Sequence, residues 1–143
     1  MKKYLKIIGL IAIAGIIAAL AVYKFVYNKP HPDYVKATPQ FTLTAEELFH
    51  AFKSGQASSQ DYTGAVLQVR GMIQKIENTD YQVIAVATFD QGIFGDEGIR
   101  YTMLPEYQQE IQNMTPGQTV TIKGLCTGYN DTDVIMEKCS VIE

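Results

Sequence analysis

Histidine and cysteine are scarce in this chain, two of each among 143 residues, and no acidic residue precedes Pro30. The first scarcity limits the chemistry. There is no zinc set of cysteines, no glycine-rich phosphate cradle, and no histidine placed beside a nucleophile. His31, between two prolines, reads as a solvated loop residue, and His50 as a structural or solvent-edge residue. Asp131-x-Asp133 lacks the further fixed oxygens of a calcium site and is better explained by the turn-forming tendency of Asp and Asn. With no catalytic constellation, metal site or cofactor motif, the chain reads as a binding protein, not an enzyme.

The second scarcity marks the N-terminus. Lys2, Lys3 and Lys6 lead into an unbroken apolar run from Ile7 to Tyr23, 17 residues, which spans about 25 Å as a helix. A bilayer crossing takes some 17–25 residues. Lys24 can snorkel, Phe25–Tyr27 extend the run, and Tyr23 and Tyr27 suit an aromatic belt. Residues 1–27 are therefore expected to be a transmembrane anchor or uncleaved signal. The alternative is cleavage after Ala19-Leu20-Ala21, though the apolar stretch is longer than signal peptides usually carry and continues past that site. The short basic N-terminus places itself in the cytoplasm and the remainder outside, in a single-pass inner-membrane topology; the charge bias is slight, because Lys24, Lys29 and Lys36 flank the other side.

Residues 28–40 hold Pro30, Pro32 and Pro39 and read as a semi-rigid linker. The domain then starts, over 41–143. Thr44 and Glu47 form a capping box, with Leu43 and Leu48 as a hydrophobic staple, and predict a helix from Ala45 to about Gly55 that buries Leu48, Phe49 and Phe52. A polar loop, Ser54–Ser59, follows. From Val66 the period shifts to two, with Leu67, Val69, Gly71 and Ile73 inward and a bulge or bend at Gly71 that lets one strand serve two sheets. Further strands are expected over Tyr81–Phe89 and Gly98–Met103, joined by a mobile acidic loop, Asp90–Glu97. Pro105 opens a helix carrying Tyr107, Ile111 and Met114, a type II turn follows at Thr115–Gln118, and the last strands are Thr119–Tyr129 and Asp133–Ile142. The fold class is mainly β, α+β by content. A helix, three strands, a helix and two strands is the order of a five-stranded OB-fold barrel, here with a preceding helix and a separate N-terminal transmembrane helix.

The chain resembles the tRNA_anti-like family of small bacterial OB-fold proteins with an N-terminal hydrophobic segment. The likeness rests on Phe41–Leu48, on Val69-Arg70-Gly71, on Gly117–Tyr129, and on Asp133–Met136 with Cys139. It implies the fold over Phe41–Glu143 and little about activity. The sequence departs at Asp90–Gly98, where such proteins more often have a short β-hairpin.

Cys126 and Cys139 become direct cross-strand partners if the last hairpin is centred between Thr132 and Asp133, and in an oxidising envelope a disulfide is expected. The alternative is two buried thiols. Met136 and Cys139 have opposite parity, so both point inward only across a bulge. Five of the 12 basic residues precede Pro30 and all 15 acidic ones follow it, leaving a folded part of formal charge −8. Polyanion binding needs a basic footprint, so nucleic acid is disfavoured as a partner. Arg70, Lys75, Arg100 and Lys123 nonetheless fall on strands, with Tyr81, Phe89, Tyr101 and Tyr129 available to stack. The resulting expectation is a membrane-anchored, envelope-facing module that binds a peptide, glycan, small ligand or protein. Its contacts are expected on the first three strands and the Asp90–Gly98 loop, at Arg70, Phe94, Arg100 and Tyr101. The alternatives are a nucleic-acid binder and a purely structural envelope protein.

Overall fold

The computed structural model describes residues 2–27 and 32–142; His31 and linker positions 28–31 lie outside the described residues. Two compact units are present, Met1–Pro32 and Asp33–Glu143. In the first, α1 (Lys2–Val22) continues into a π-helical turn, Tyr23–Tyr27. Its stretch Lys3–Val26 has 24 residues and a mean hydropathy of 2.6. At about 1.5 Å per residue it is roughly 36 Å long, enough for a hydrocarbon core of about 30 Å. Apolar residues occupy every side of it and stay exposed, unlike the single buried stripe of a soluble core helix. Length and composition suit an anchor and a signal sequence equally.

The second unit is a mixed sheet with helices. Its elements are β1 (Phe41–Thr44), α2 (Ala45–Lys53), α3 (Ser58–Tyr62), β2 (Val66–Met72), β3 (Lys75–Asn78), β4 (Val83–Gly92), β5 (Gly95–Met103), α4 (Pro105–Gln112), β6 (Thr119–Tyr129) and β7 (Asp133–Ile142). The strand order is β1-β2-β6-β7-β5-β4-β3. Seven strands are thus found among the described residues where five were expected. The difference has two sources. The expected first strand is two pieces, β2 and β3, which switch partner at Ile73-Gln74: the Ile73 N–H donates to Gln118 O and the Gln74 N–H to Val86 O. Because β2 and β3 are one run of chain, the two sides of the sheet meet there and the sheet wraps around a core. The other addition is β1, which pairs in parallel with β2 from Phe41↔Leu67 to Thr44↔Arg70.

Gly71 is not where the strand bends. It keeps register with Val120, and a Cβ there would collide with the Cβ of Ala45 at the start of α2, so its role is to admit the helix. The capping box of α2 forms as expected: the Glu47 N–H donates to Thr44 Oγ1 at 3.2 Å, and Glu47 Oε2 accepts from the Thr44 N–H at 2.8 Å. Leu48 and Phe49 are fully buried and Phe52 is half-buried. Part of the expected polar loop is α3. The expected linker is also shorter than its prolines suggested, because Asp33 onward belongs to the compact unit. Lys123 Nζ donates to Val35 O at 2.6 Å and to Ala37 O at 3.0 Å, fastening this segment to β6.

Period two is kept where the core needs it: Leu67 and Val69 from β2, Ile99, Tyr101 and Met103 from β5, Ile122 and Cys126 from β6, and Val134 and Met136 from β7 are buried. Ile111 of α4 completes this core. The bulge that the parity of Met136 and Cys139 demanded is present at Lys138, whose φ is 53°. There Lys123 pairs with Ser140 and Leu125 with Glu137, so β7 spends one residue more than β6 and Cys139 turns inward. The same register corrects the cysteine pairing. Cys126 lies opposite Met136, Cys139 packs against Gly124, and both thiols are buried and free.

Candidate binding surface

The expected mobile loop at Asp90–Glu97 is instead the outer half of the β4–β5 hairpin, with Asp90↔Glu97, Gln91↔Asp96 and Gly92↔Gly95 paired beyond a bulge at Thr88/Asp90. Gly92 and Gly95 bracket a two-residue tip, Ile93-Phe94; Gly95 adopts φ +123°, which a side chain would oppose. The tip is 98% exposed at Ile93 and 92% at Phe94. Its base is pinned. Lys53 of α2 pairs with Asp90 and, at 2.7 Å, with Glu97. Its ammonium also lies 5.5 Å from the centre of the Phe49 ring, which stacks on Phe89 at 5.4 Å. Hydrogen bonds to both carboxylates, Asp90 first, raise the Lys53 ammonium well above the usual lysine value, and the Lys53 bond holds Asp90 low. A hairpin pinned in this way presents two bare apolar side chains on a firm stem.

Beside it, three strands build a charged row. Lys75 of β3 lies opposite Val86 of β4, and Val86 lies opposite Arg100 of β5, so all three share one face. Glu77, two residues beyond Lys75, shares that face as well. Its Oε1 is 2.9 Å from the Lys75 ammonium and its Oε2 meets the Arg100 guanidinium. The Lys75 hydrogen bond, with the nearby Arg100 charge and against partial burial, keeps the Glu77 carboxyl below the usual range. A cavity of about 270 Å³ opens here, lined by Lys75, Glu77, Val86, Phe94, Arg100 and Asp133 among others. Asp133 is engaged, its Oδ1 accepting from the Gly98 N–H at 3.1 Å.

The four expected contact residues therefore separate. Phe94 and Arg100 line this cavity together. Arg70 is exposed on β2, paired with Thr44 and Thr121, and lines no part of it. Tyr101 is 1% exposed and belongs to the core, its hydroxyl driven up by burial; it cannot meet a ligand. Of the strand cations, Lys123 is committed to the Val35 and Ala37 carbonyls. Sequence reasoning passed over Glu77 as a site member and Ile93 as the partner of Phe94, and offered Lys75 only as a strand cation for a nucleic-acid groove. The signal available was that Arg100 sits in an outward position of an expected strand; strict alternation from Leu67 turned Lys75 inward, and neither the partner switch at Ile73-Gln74 nor the shared neighbour Val86 was available without the register. A broader concavity of about 750 Å³ lies at β1 and α2, where Thr44 pairs with Glu47 and, at 3.8 Å, Glu46 with His50. Among the described residues no three His, Cys, Asp or Glu side chains cluster to hold a metal.

A model of the tRNA_anti-like family matches residues 1–141. No curated protein matches the chain. Among solved structures, a Klebsiella pneumoniae protein described as a candidate nucleic acid-binding lipoprotein is similar at 19% identity and a TM-score of 0.52, covering 80% of this chain and 100% of that one. That likeness concerns the fold alone. The S. pombe Stn1–Ten1 complex (16% identity, TM-score 0.37, 55% of this chain and 58% of that one) and the asparaginyl-tRNA synthetase of Pyrococcus horikoshii (12%, 0.39, 58% and 20%) are looser matches, and at those scores carry no argument.

Proposed function

The chain belongs to the tRNA_anti-like family, and from that premise we propose that it is a membrane-held binding module on an OB-fold barrel, acting by recognition without turnover. Support for the barrel comes from connectivity. Counting β2 and β3 as one bent strand, the five long runs pair in OB order, with α4 between the third and fourth. Support for the tether comes from Lys3–Val26, with the N-terminus in the cytoplasm and the barrel across the membrane. Alkaline phosphatase fused behind Glu143 is expected to be active, and an inactive fusion overturns that orientation.

The observation that carries the binding role is the Ile93-Phe94 tip, 98% and 92% exposed on a pinned stem. Paired bare apolar side chains mark interaction sites, and a rigid aromatic supplies much of an interface's energy at little entropic cost. Asp96 and Asp133 join Glu77 in the adjoining cavity and outnumber its two cations, so a protein or peptide fits better than a polyanion. A photocrosslinking residue at Phe94 is expected to capture a discrete partner that the same probe at Asp61 misses. Phe94→Ser should weaken that partner roughly tenfold or more, and equal capture from both positions refutes the site.

A second reading is single-stranded nucleic acid, because the Klebsiella relative is described in those terms and an exposed ring stands beside Lys75 and Arg100; the expectation that disfavoured nucleic acid on net charge finds no support there. Oligonucleotide binding that falls steeply with salt would establish this reading over the first.

A further inference from the structure

Lys75 and Arg100 flank Val86, and one carboxylate occupies both: Glu77 places Oε1 2.9 Å from the Lys75 ammonium and Oε2 against the Arg100 guanidinium. We propose that this cation pair is a phosphomonoester-binding site which Glu77 fills in the ligand-free protein. The inference rests on the reading that the β3–β4–β5 face meets the ligand. One oxyanion shared by a lysine and an arginine through different oxygens is the arrangement that a bound phosphate adopts, with charge-assisted bonds to each. The pair is reachable, since the Lys75 and Arg100 side chains are 62% and 30% exposed and open on the cavity of about 270 Å³.

Charge selects the ligand class. Glu77 is tethered two residues from Lys75 and competes at high local concentration, so another carboxylate gains nothing by replacing it. A phosphate monoester carries about −1.5 to −2 at neutral pH and three acceptor oxygens, and so outbids a single negative charge at the same two cations. Phe94 on the cavity lining offers an aromatic or ring-bearing monoester a surface to lie against. Asp96 and Asp133 oppose any anion there, although Asp133 is turned to the Gly98 N–H and Asp96 accepts from the Gln91 amide at 3.3 Å. The unaltered site is therefore weak, and Glu77 is its brake.

Calorimetric titration of the full-length protein in detergent, with inorganic phosphate, phenyl phosphate and acetate as probes, tests this. Both phosphates are expected to bind and acetate is not. Phenyl phosphate binding more tightly than inorganic phosphate points to an organic monoester, and equal binding to the free ion. Glu77→Gln should tighten phosphate roughly five- to tenfold, the scale of a partly exposed charged pair. Glu77→Asp, too short to bridge both cations, should tighten it less and serves if the first variant fails to fold. Arg100→Ala should abolish binding in every background. The proposal is overturned if neither Glu77 variant binds phosphate more tightly, if the gain survives Arg100→Ala, or if acetate binds as well as phosphate. Should those results coincide with capture of a discrete partner by the probe at position 94, the phosphate site falls and the binding module stands.

Discussion

A single methyl group at position 124 tests the β6–β7 register. A Cβ built on Gly124 stands 2.6 Å from Cys139 Sγ, 3.0 Å from Glu137 O and 3.3 Å from Cys139 Cα. Relaxed contacts of this kind lie near 3.5–4.0 Å, so the thiol must retreat by roughly 1 Å. It has little room, because Cys139 is fully buried and follows Lys138 at the bulge. Overpacking of this degree costs about 2–3 kcal/mol, a Tm lower by about 10 °C for a unit of this size. Cys139→Ala alone should cost about 1 kcal/mol through lost packing. In the double variant the new methyl enters the space that sulfur leaves, and the total should be about 2 kcal/mol instead of the sum, a coupling above 1 kcal/mol. Denaturation of the full-length protein in detergent, followed by near-UV circular dichroism of the buried tyrosine, measures all four corners. Additive costs, or an unchanged Tm for Gly124→Ala, would show that Cys139 does not face Gly124 and that the register is wrong.

Thr44→Ala removes the side-chain half of the capping box and should lower stability by about 1 kcal/mol, with Thr44→Ser restoring most of it in the same melts. Lys53→Met frees the hairpin base while keeping the stem that packs on Phe49; amide exchange should accelerate from Gln91 to Glu97 and stay unchanged in β6 and β7, and uniform exchange would deny the pin. On the alkaline side, burial pushes the Cys126 thiol up to about 11, against about 8.5 unfolded, and raises Cys139 and Tyr101 in the same direction. Groups raised in this way contribute fully below their unfolded values, so stability should decline as pH climbs from about 8.5, and Cys126→Ala should flatten the first part of that decline. Both thiols should resist a thiol reagent until the barrel unfolds, and immediate labelling of the folded protein would contradict their burial.

Residue pattern carried much of this fold because local chemistry suffices for it. Thr44 and Glu47 satisfy helix-end N–H groups wherever the helix later packs, and Pro105 and Pro116-Gly117 act through their own φ angles. The structure ends β6 and β7 at the residues where the alternation stops. Pairing offset is a different kind of information. An alternating strand states which side chains go inward, yet the turn sets the partners: Tyr129 pairs with Val134, two positions away from the register that would set the cysteines opposite each other, and this puts Cys139 beside Gly124. The same blindness hid β1, whose one strand partner among the described residues is β2; Tyr101, by contrast, shares the parity of the buried Ile99 and Met103, and alternation alone places it in the core. Gly92 and Gly95 looked like flexibility; only the pairing of Asp90 and Gln91 with Glu97 and Asp96 made them the shoulders of a hairpin.

The amino-acid order by itself determined an apolar N-terminal helix of membrane-crossing length and a β-rich, acidic unit capped by a helix, since these depend on composition and on contacts a few residues apart. Tertiary structure alone decided that Lys75, Val86 and Arg100 stand in one row with Glu77 between the cations, and that Phe94 flanks them. Those residues lie on three strands, and nothing nearer in the chain than the register of the sheet brings them together.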